Sequence, residues 1–203
     1  MKGMNPLPHL SRNLPPGVLA LLLGVLTACS EAPSDAPLAV EAPQPPLIRL
    51  AESGDLPAID SLLAAGTSPD PVDSCRWTPL MKAALNGHVA TARRLLDAGA
   101  DPNASDKGGY TPLMFAASRD HVDLIRLLLE RGANPDAQES TQGWTALIWA
   151  AKEGRHASIS LLLAMGADPS RTDREGRTAA DWARDRGDDD IPRLSSSDPS
   201  VEP

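Results

Sequence analysis

Four histidines, two cysteines and a run of three acids are the side chains of this 203-residue sequence whose types could do chemistry. His9, His88, His121 and His156, with Cys29 and Cys75, lack the close paired spacings that a tetrahedral zinc site needs. Asp188-Asp189-Asp190 would attract a divalent cation, yet three consecutive acids near a chain end are expected to stay solvated. No Gly-x-Ser-x-Gly elbow, phosphate loop, His-Glu-x-x-His or convergent carboxylate pair is present. Neither an enzyme activity nor a metal or cofactor is therefore expected. Nineteen bases against 27 acids, a net charge of −8, also leave no basic footprint for nucleic acid.

The most chemically specific residue is Cys29, and an address positions it. In residues 1–28, Lys2 and Arg12 form a positive leader without acids, followed by ten apolar residues from Gly17 to Leu26. As a helix these ten would rise roughly 15 Å, about half a bilayer core, which disfavours a membrane span. Leu26-Thr27-Ala28-Cys29 resembles the lipobox of bacterial lipoproteins. The resemblance implies cleavage before Cys29, a diacylglyceryl thioether on its sulfur and a palmitate-type acyl group on its new amino terminus. More than one chain is what makes such anchoring stable. An ordinary secretory signal with an incidental cysteine is the alternative. Ser30 carries no Asp-type retention signal, so the implied destination is the outer membrane, facing the periplasm of a Gram-negative cell.

Residues 29–44 read as the lipidated cysteine and a proline-rich tether with polyproline II character. Losing Lys2 and Arg12 with the signal would shift the net charge from −8 to −10. Acylation of Cys29 would leave Cys75 as a lone thiol. Residues 195–203 have the composition of a disordered tail.

Between these ends the chain repeats itself. Thr78, Thr111, Thr145 and Thr178 recur at spacings of 33, 34 and 33, and Gly66, Gly99, Gly132 and Gly166 keep the same period. So do Pro69, Pro102, Pro135 and Pro169, each glycine being preceded by a Leu-Leu pair. Within one unit, Thr78 caps a helix opened by Pro79, and Ala83-Ala84 keep it thin. Asn86-Gly87-His88 breaks it, Val89 to Ala98 forms a second helix, and Gly99 ends that one. Neither helix could bury its apolar side alone, so neighbouring units must stack.

Thr-Pro-Leu, paired alanines, Gly-His, Leu-Leu and Gly-Ala-Asp at these spacings resemble the ankyrin repeat. The resemblance implies an all-α ankyrin-repeat solenoid over 45–194, each unit adding a β-hairpin to its helix-turn-helix. The units are 45–77, 78–110, 111–144 and 145–177, with a terminal cap at 178–194. Met81, Met114 and Ile148 stand where the family often has a histidine, which implies less hydrogen bonding between repeats. Arg76 and Asp120 occupy family glycine positions, so their turns are expected to be less relaxed. One extra residue falls near Glu139–Gln142. His88 and His121 take the family's structural position, while His156 is expected to shield a helix edge.

Family recognition positions carry over to the hairpin tips: Ser74 and Cys75, Lys107 and Gly108, Thr141 and Gln142, Arg174 and Glu175. On the first helices they are Leu85-Asn86, Ser118-Arg119, Lys152-Glu153 and Arg184-Asp185. The mixed charge of this set favours a protein surface over a polyanion. The six aromatics fall into two registers. Phe115, Trp149 and Trp182 are expected to pack between helices. Trp77, Tyr110 and Trp144 would line the concave edge, either as exposed interface anchors or as hairpin packing.

The expected function is therefore a lipid-anchored protein-binding module, a monomer that scaffolds or protects a periplasmic partner of unknown identity. The alternative is an immunity or inhibitor protein against an envelope-acting toxin or lipase.

Overall fold

The computed structural model describes residues 44–188. The signal peptide, the lipobox with Cys29, the tether before Gln44, Asp189-Asp190 and the tail lie outside the described residues. Nine helices occur among them: α1 (Pro46–Ser53), α2 (Leu56–Ala64), α3 (Pro79–Asn86), α4 (Val89–Asp97), α5 (Pro112–Ser118), α6 (Val122–Glu130), α7 (Ala146–Lys152), α8 (His156–Ala164) and α9 (Ala179–Asp185). Successive pairs stack into an all-α repeat solenoid. The first helices α1, α3, α5, α7 and α9 pack in one row, and α2, α4, α6 and α8 in a second.

Each first helix starts where its threonine dictates. Thr78, Thr111, Thr145 and Thr178 accept the N3 amide through Oγ1 at 3.2–3.4 Å, a cap that contributes about 1 kcal/mol. Met81 answers Thr78 by accepting its amide on Sδ at 3.4 Å. Asp181 does the same for Thr178 with a carboxylate at 2.9 Å. α1, which begins Pro45-Pro46, has no side-chain cap.

The alanine pairs Ala83-Ala84, Ala116-Ala117 and Ala150-Ala151 are fully buried and let neighbouring first helices approach. Leu95, Leu128 and Leu162, with Ile59, Ala92, Ile125 and Ile159, fill the seam between the two rows. Full burial of each Leu or Ile contributes about 1.5–3 kcal/mol, and much of it depends on the adjacent repeat being in place.

Histidine ties repeats together through first-helix ends. His88 Nε2 lies 3.0 Å from Glu52 O, and His121 Nε2 lies 3.3 Å from Leu85 O. Both rings need a glycine beneath them: a Cβ on Gly87 would sit 2.8 Å from His121, and one on Gly54 2.9 Å from His88. The third junction departs from this in a coordinated way. Asp120 stands where glycine would, at φ 60°, and Arg155 replaces the histidine, donating Nε to Ser118 O at 3.0 Å. Asp120 Oδ1 accepts the amide and hydroxyl of Ser158 at 3.0 and 2.6 Å, a return on the strained backbone that glycine could not give.

Arg76, at φ 64°, has no such compensation. Arg76→Gly is expected to raise stability by about 0.5–1 kcal/mol. Relief of left-handed strain, about 1–2 kcal/mol, exceeds the chain entropy that glycine adds, about 0.5–1 kcal/mol. The midpoint of urea unfolding measures it.

The turns after the second helices add a ladder that was not anticipated. Asp70 Oδ2 accepts the Asp101 amide at 2.9 Å, Asn103 Oδ1 the Asn134 amide at 2.7 Å, and Asp136 Oδ1 the Asp168 amide at 2.9 Å. The repeats are thus bonded at this ladder as well as at the histidines.

Asn103 also donates to Gly132 O at 2.9 Å, whereas Asp70 Oδ1 is buried without a partner among the described residues. Burial, helped by Asp101 nearby, raises the Asp70 pKa against the lowering effect of the Asp101 amide. Asp70→Asn keeps the acceptor and removes the charge, so a gain of about 1 kcal/mol at neutral pH is expected. Because the folded pKa of Asp70 is raised, the natural protein itself gains stability as pH falls through it. The advantage of Asp70→Asn must therefore shrink on acidification, which urea melts at neutral and acid pH would reveal.

Candidate partner-binding surface

Between each second helix and the next first helix the chain makes a hairpin. The expected β-hairpin is reduced to a closed turn. The amides of Asp73, Asp106, Glu139 and Asp173 donate to the carbonyls of Trp77, Tyr110, Trp144 and Arg177 at 2.9–3.3 Å. Three turns add an inner bond, from the Arg76, Gly109 and Gly176 amides to the Asp73, Asp106 and Asp173 carbonyls at 3.0–3.1 Å, but the pairing goes no further and no strand forms among the described residues. Neighbouring tips are joined instead: the Lys107 amide donates to Cys75 O, Ser140 to Gly108 O, and Arg174 to Gln142 O, at 2.8–3.1 Å.

An acid at the base of each turn holds it shut, a role the sequence reading missed. Asp73 Oδ1 accepts the Cys75 and Trp77 amides, and Asp106 Oδ1 those of Gly108 and Tyr110, at 2.8–2.9 Å. Asp173 Oδ1 accepts those of Glu175 and Arg177 at 2.9 Å. In the hairpin with the extra residue the acid is Glu139, longer by one methylene. It accepts the amides of Thr141, Gln142 and Trp144 at 2.6–3.0 Å and the Thr141 hydroxyl as well. The signal was present, since the four acids keep the repeat period.

Burial pushes the Asp106 pKa up and outweighs its three amide hydrogen bonds. Burial pushes on Asp173 too, but its net shift is downward. Its Oδ2 also takes the indole N–H groups of Trp144 and Trp182, at 3.3 and 3.0 Å.

The aromatic registers interleave into a single zipper. Trp77 lies 4.6 Å from Phe115, Phe115 6.0 Å from Tyr110, and Tyr110 6.1 Å from Trp149. Trp149 lies 5.1 Å from Trp144, which lies 5.5 Å from Trp182. All six aromatics take part. Cations close both ends: Lys82 Nζ is 4.7 Å from the Trp77 ring centre, and the Arg177 guanidinium is 3.5 Å from that of Trp182. Lys152 Nζ sits over Trp144 and Trp182 at 5.2 and 5.7 Å.

Of the two alternatives for Trp77, Tyr110 and Trp144, this arrangement is that of hairpin packing. Trp77 and Trp144 keep only 8% and 5% exposure, and Tyr110 is half-buried with its hydroxyl 3.2 Å from Thr141 Oγ1. Tyr110 and Trp144 each lie between two first-helix aromatics, and Trp77 lies between Phe115 and the Lys82 ammonium. Ser118 and Lys152 are also engaged internally, Ser118 with Phe115 O at 2.9 Å and Lys152 with Glu153 at 3.6 Å.

The expected contact residues that face water are Ser74, Lys107, Thr141, Gln142, Arg174 and Glu175 on the tips, with Asn86, Arg119, Arg184 and Asp185 at helix ends. His156 is exposed, 3.8 Å from Asp188. Cys75 is half-buried on its tip, where its amide donates to Asp73 Oδ1 at 2.9 Å. No metal-binding cluster of His, Cys, Asp or Glu occurs among them either.

A family model described as ankyrin repeats (3 copies) matches residues 47–139, and another, ankyrin repeats (many copies), matches residues 147–188. No curated protein matches the chain.

Proposed function

This chain belongs to the ankyrin-repeat family, and on that premise we propose that it is a lipid-anchored module of the bacterial envelope that scaffolds or protects a periplasmic partner. Ankyrin repeats are protein–protein interaction modules and in general not enzymes. Their mechanism is non-covalent, a preformed surface that binds with little ordering cost. The joined hairpin tips supply such a surface here.

The observation that carries the location is Leu26-Thr27-Ala28-Cys29 at the end of a ten-residue apolar run. No helix among the described residues is long and apolar enough to cross a membrane, so in this reading the lipid on Cys29 is the anchor.

Two measurements test the proposal. Cys29→Ala should move the protein from the membrane to the soluble fraction and abolish labelling by a palmitate analogue. A variant still membrane-bound, or an unlabelled natural chain, would sink the anchor. A photo-crosslinking residue in place of Thr141 should trap a periplasmic protein in cells, whereas one in place of Asp123, on α6, should not. Equal yields at the two positions would sink the binding surface.

A further inference from the structure

Within that reading, which puts a protein partner at the hairpin edge, we infer that the partner presents an extended acidic segment to Arg76, Lys107 and Arg174. The four hairpin acids are turned inward, each closing its own turn through backbone amides. Arg76, Lys107 and Arg174 are exposed, and none has a carboxylate partner among the described residues. Glu175, the one acid on these tips, is held by Arg177 at 3.0 Å. Uncompensated charge on the edge is thus positive, on a chain whose net charge is −8.

Backbone strain points to the same edge independently. The positions equivalent to Arg76 are Gly109, Gly143 and Gly176, at φ 74–82°, while Arg76 holds φ 64° with a side chain that bonds nothing among the described residues. Strain kept where glycine serves in every other repeat marks the cation itself as the useful feature.

The remaining surface narrows the partner's chemistry. Val72 is the one large apolar residue exposed among those described, so recognition here is polar. Packed helices lie about 8–10 Å apart, and an extended chain advances about 3.3 Å per residue. An acid at every third residue therefore meets successive tips. Isolated cations in single file, interrupted by neutral Thr141 and Gln142, suit such a segment better than a dense polyanion, which the acidic remainder would repel.

Fluorescence anisotropy of the full chain in detergent can test this. The probe is a fluorescein-labelled twelve-residue peptide with Glu at every third position, compared with its Gln counterpart. The Glu peptide should bind, weaken as salt rises, and lose about tenfold in affinity when Arg76→Gly, Lys107→Gln and Arg174→Gln are combined. Arg76→Gly is itself expected to stabilise, so retained thermal unfolding will separate lost binding from lost folding. Equal binding of the Gln peptide, an unaffected triple variant, or preference for single-stranded DNA or anionic vesicles would overturn the inference. If Thr141 crosslinks a partner whose capture survives the triple variant, the envelope reading stands and the acidic-segment inference falls.

Discussion

Trp144→Ala should cost about 3–5 kcal/mol, the range for truncating a buried aromatic, and should split unfolding into two steps. Trp144 links the ring of its own repeat to that of the next, with Trp149 at 5.1 Å and Trp182 at 5.5 Å. Its indole also donates to Asp173, the acid closing the following hairpin. In a stacked array each repeat holds only its neighbours, so loss of one junction frees the units beyond it. Calorimetry should show α9 and its hairpin melting before the rest, with the main transition lowered by roughly 10 °C. Trp144→Phe keeps a ring in the zipper and loses the indole bond, so it should cost only about 1 kcal/mol. If Trp144→Ala melts like the natural protein, the zipper is incidental to stability.

Glu139→Asp is the second large effect, from a change that is conservative on paper. The other hairpins span four residues from acid to aromatic or Arg177, and aspartate closes them. Here the span is five, from Glu139 to Trp144, and the longer side chain makes up the difference. Shortening it draws the carboxylate back by about 1.5 Å and leaves the amides of Gln142 and Trp144 poorly met, a cost of about 2–3 kcal/mol. Deleting Thr141 as well restores the four-residue span and keeps the Ser140 link to Gly108. The double change should recover to within about 1 kcal/mol of the natural protein in urea unfolding. If Glu139→Asp alone is neutral, or the deletion deepens the loss, side-chain length is not what closes this turn.

These two residues mark the boundary of what could be read in advance. Both aromatic registers were visible as spacings of 33 and 34 residues. Their contacts, however, run between Trp77 and Phe115 or Trp144 and Trp182, residues 38 apart that meet only after stacking. The hairpin acids were visible too, but the direction of their carboxylates was not. Arg76 and Asp120 were expected to be uneasy at glycine positions and both have positive φ. That Asp120 is compensated through Ser158 while Arg76 is not depends on a neighbour from the next repeat.

The period and the helix starts at Thr78, Thr111, Thr145 and Thr178 followed from the residues in order, and a structural role for His88 and His121 from the family resemblance. Each such mark either acts within a few positions of itself or recurs at a fixed distance. Whether Trp77 and Trp144 offer a face to a partner, and which charges the hairpin edge leaves free, was decided by the stacked structure alone. A side chain's access to water is set by what the adjacent repeat places against it, and the same register holds a buried tryptophan in one repeat and a half-buried arginine in another.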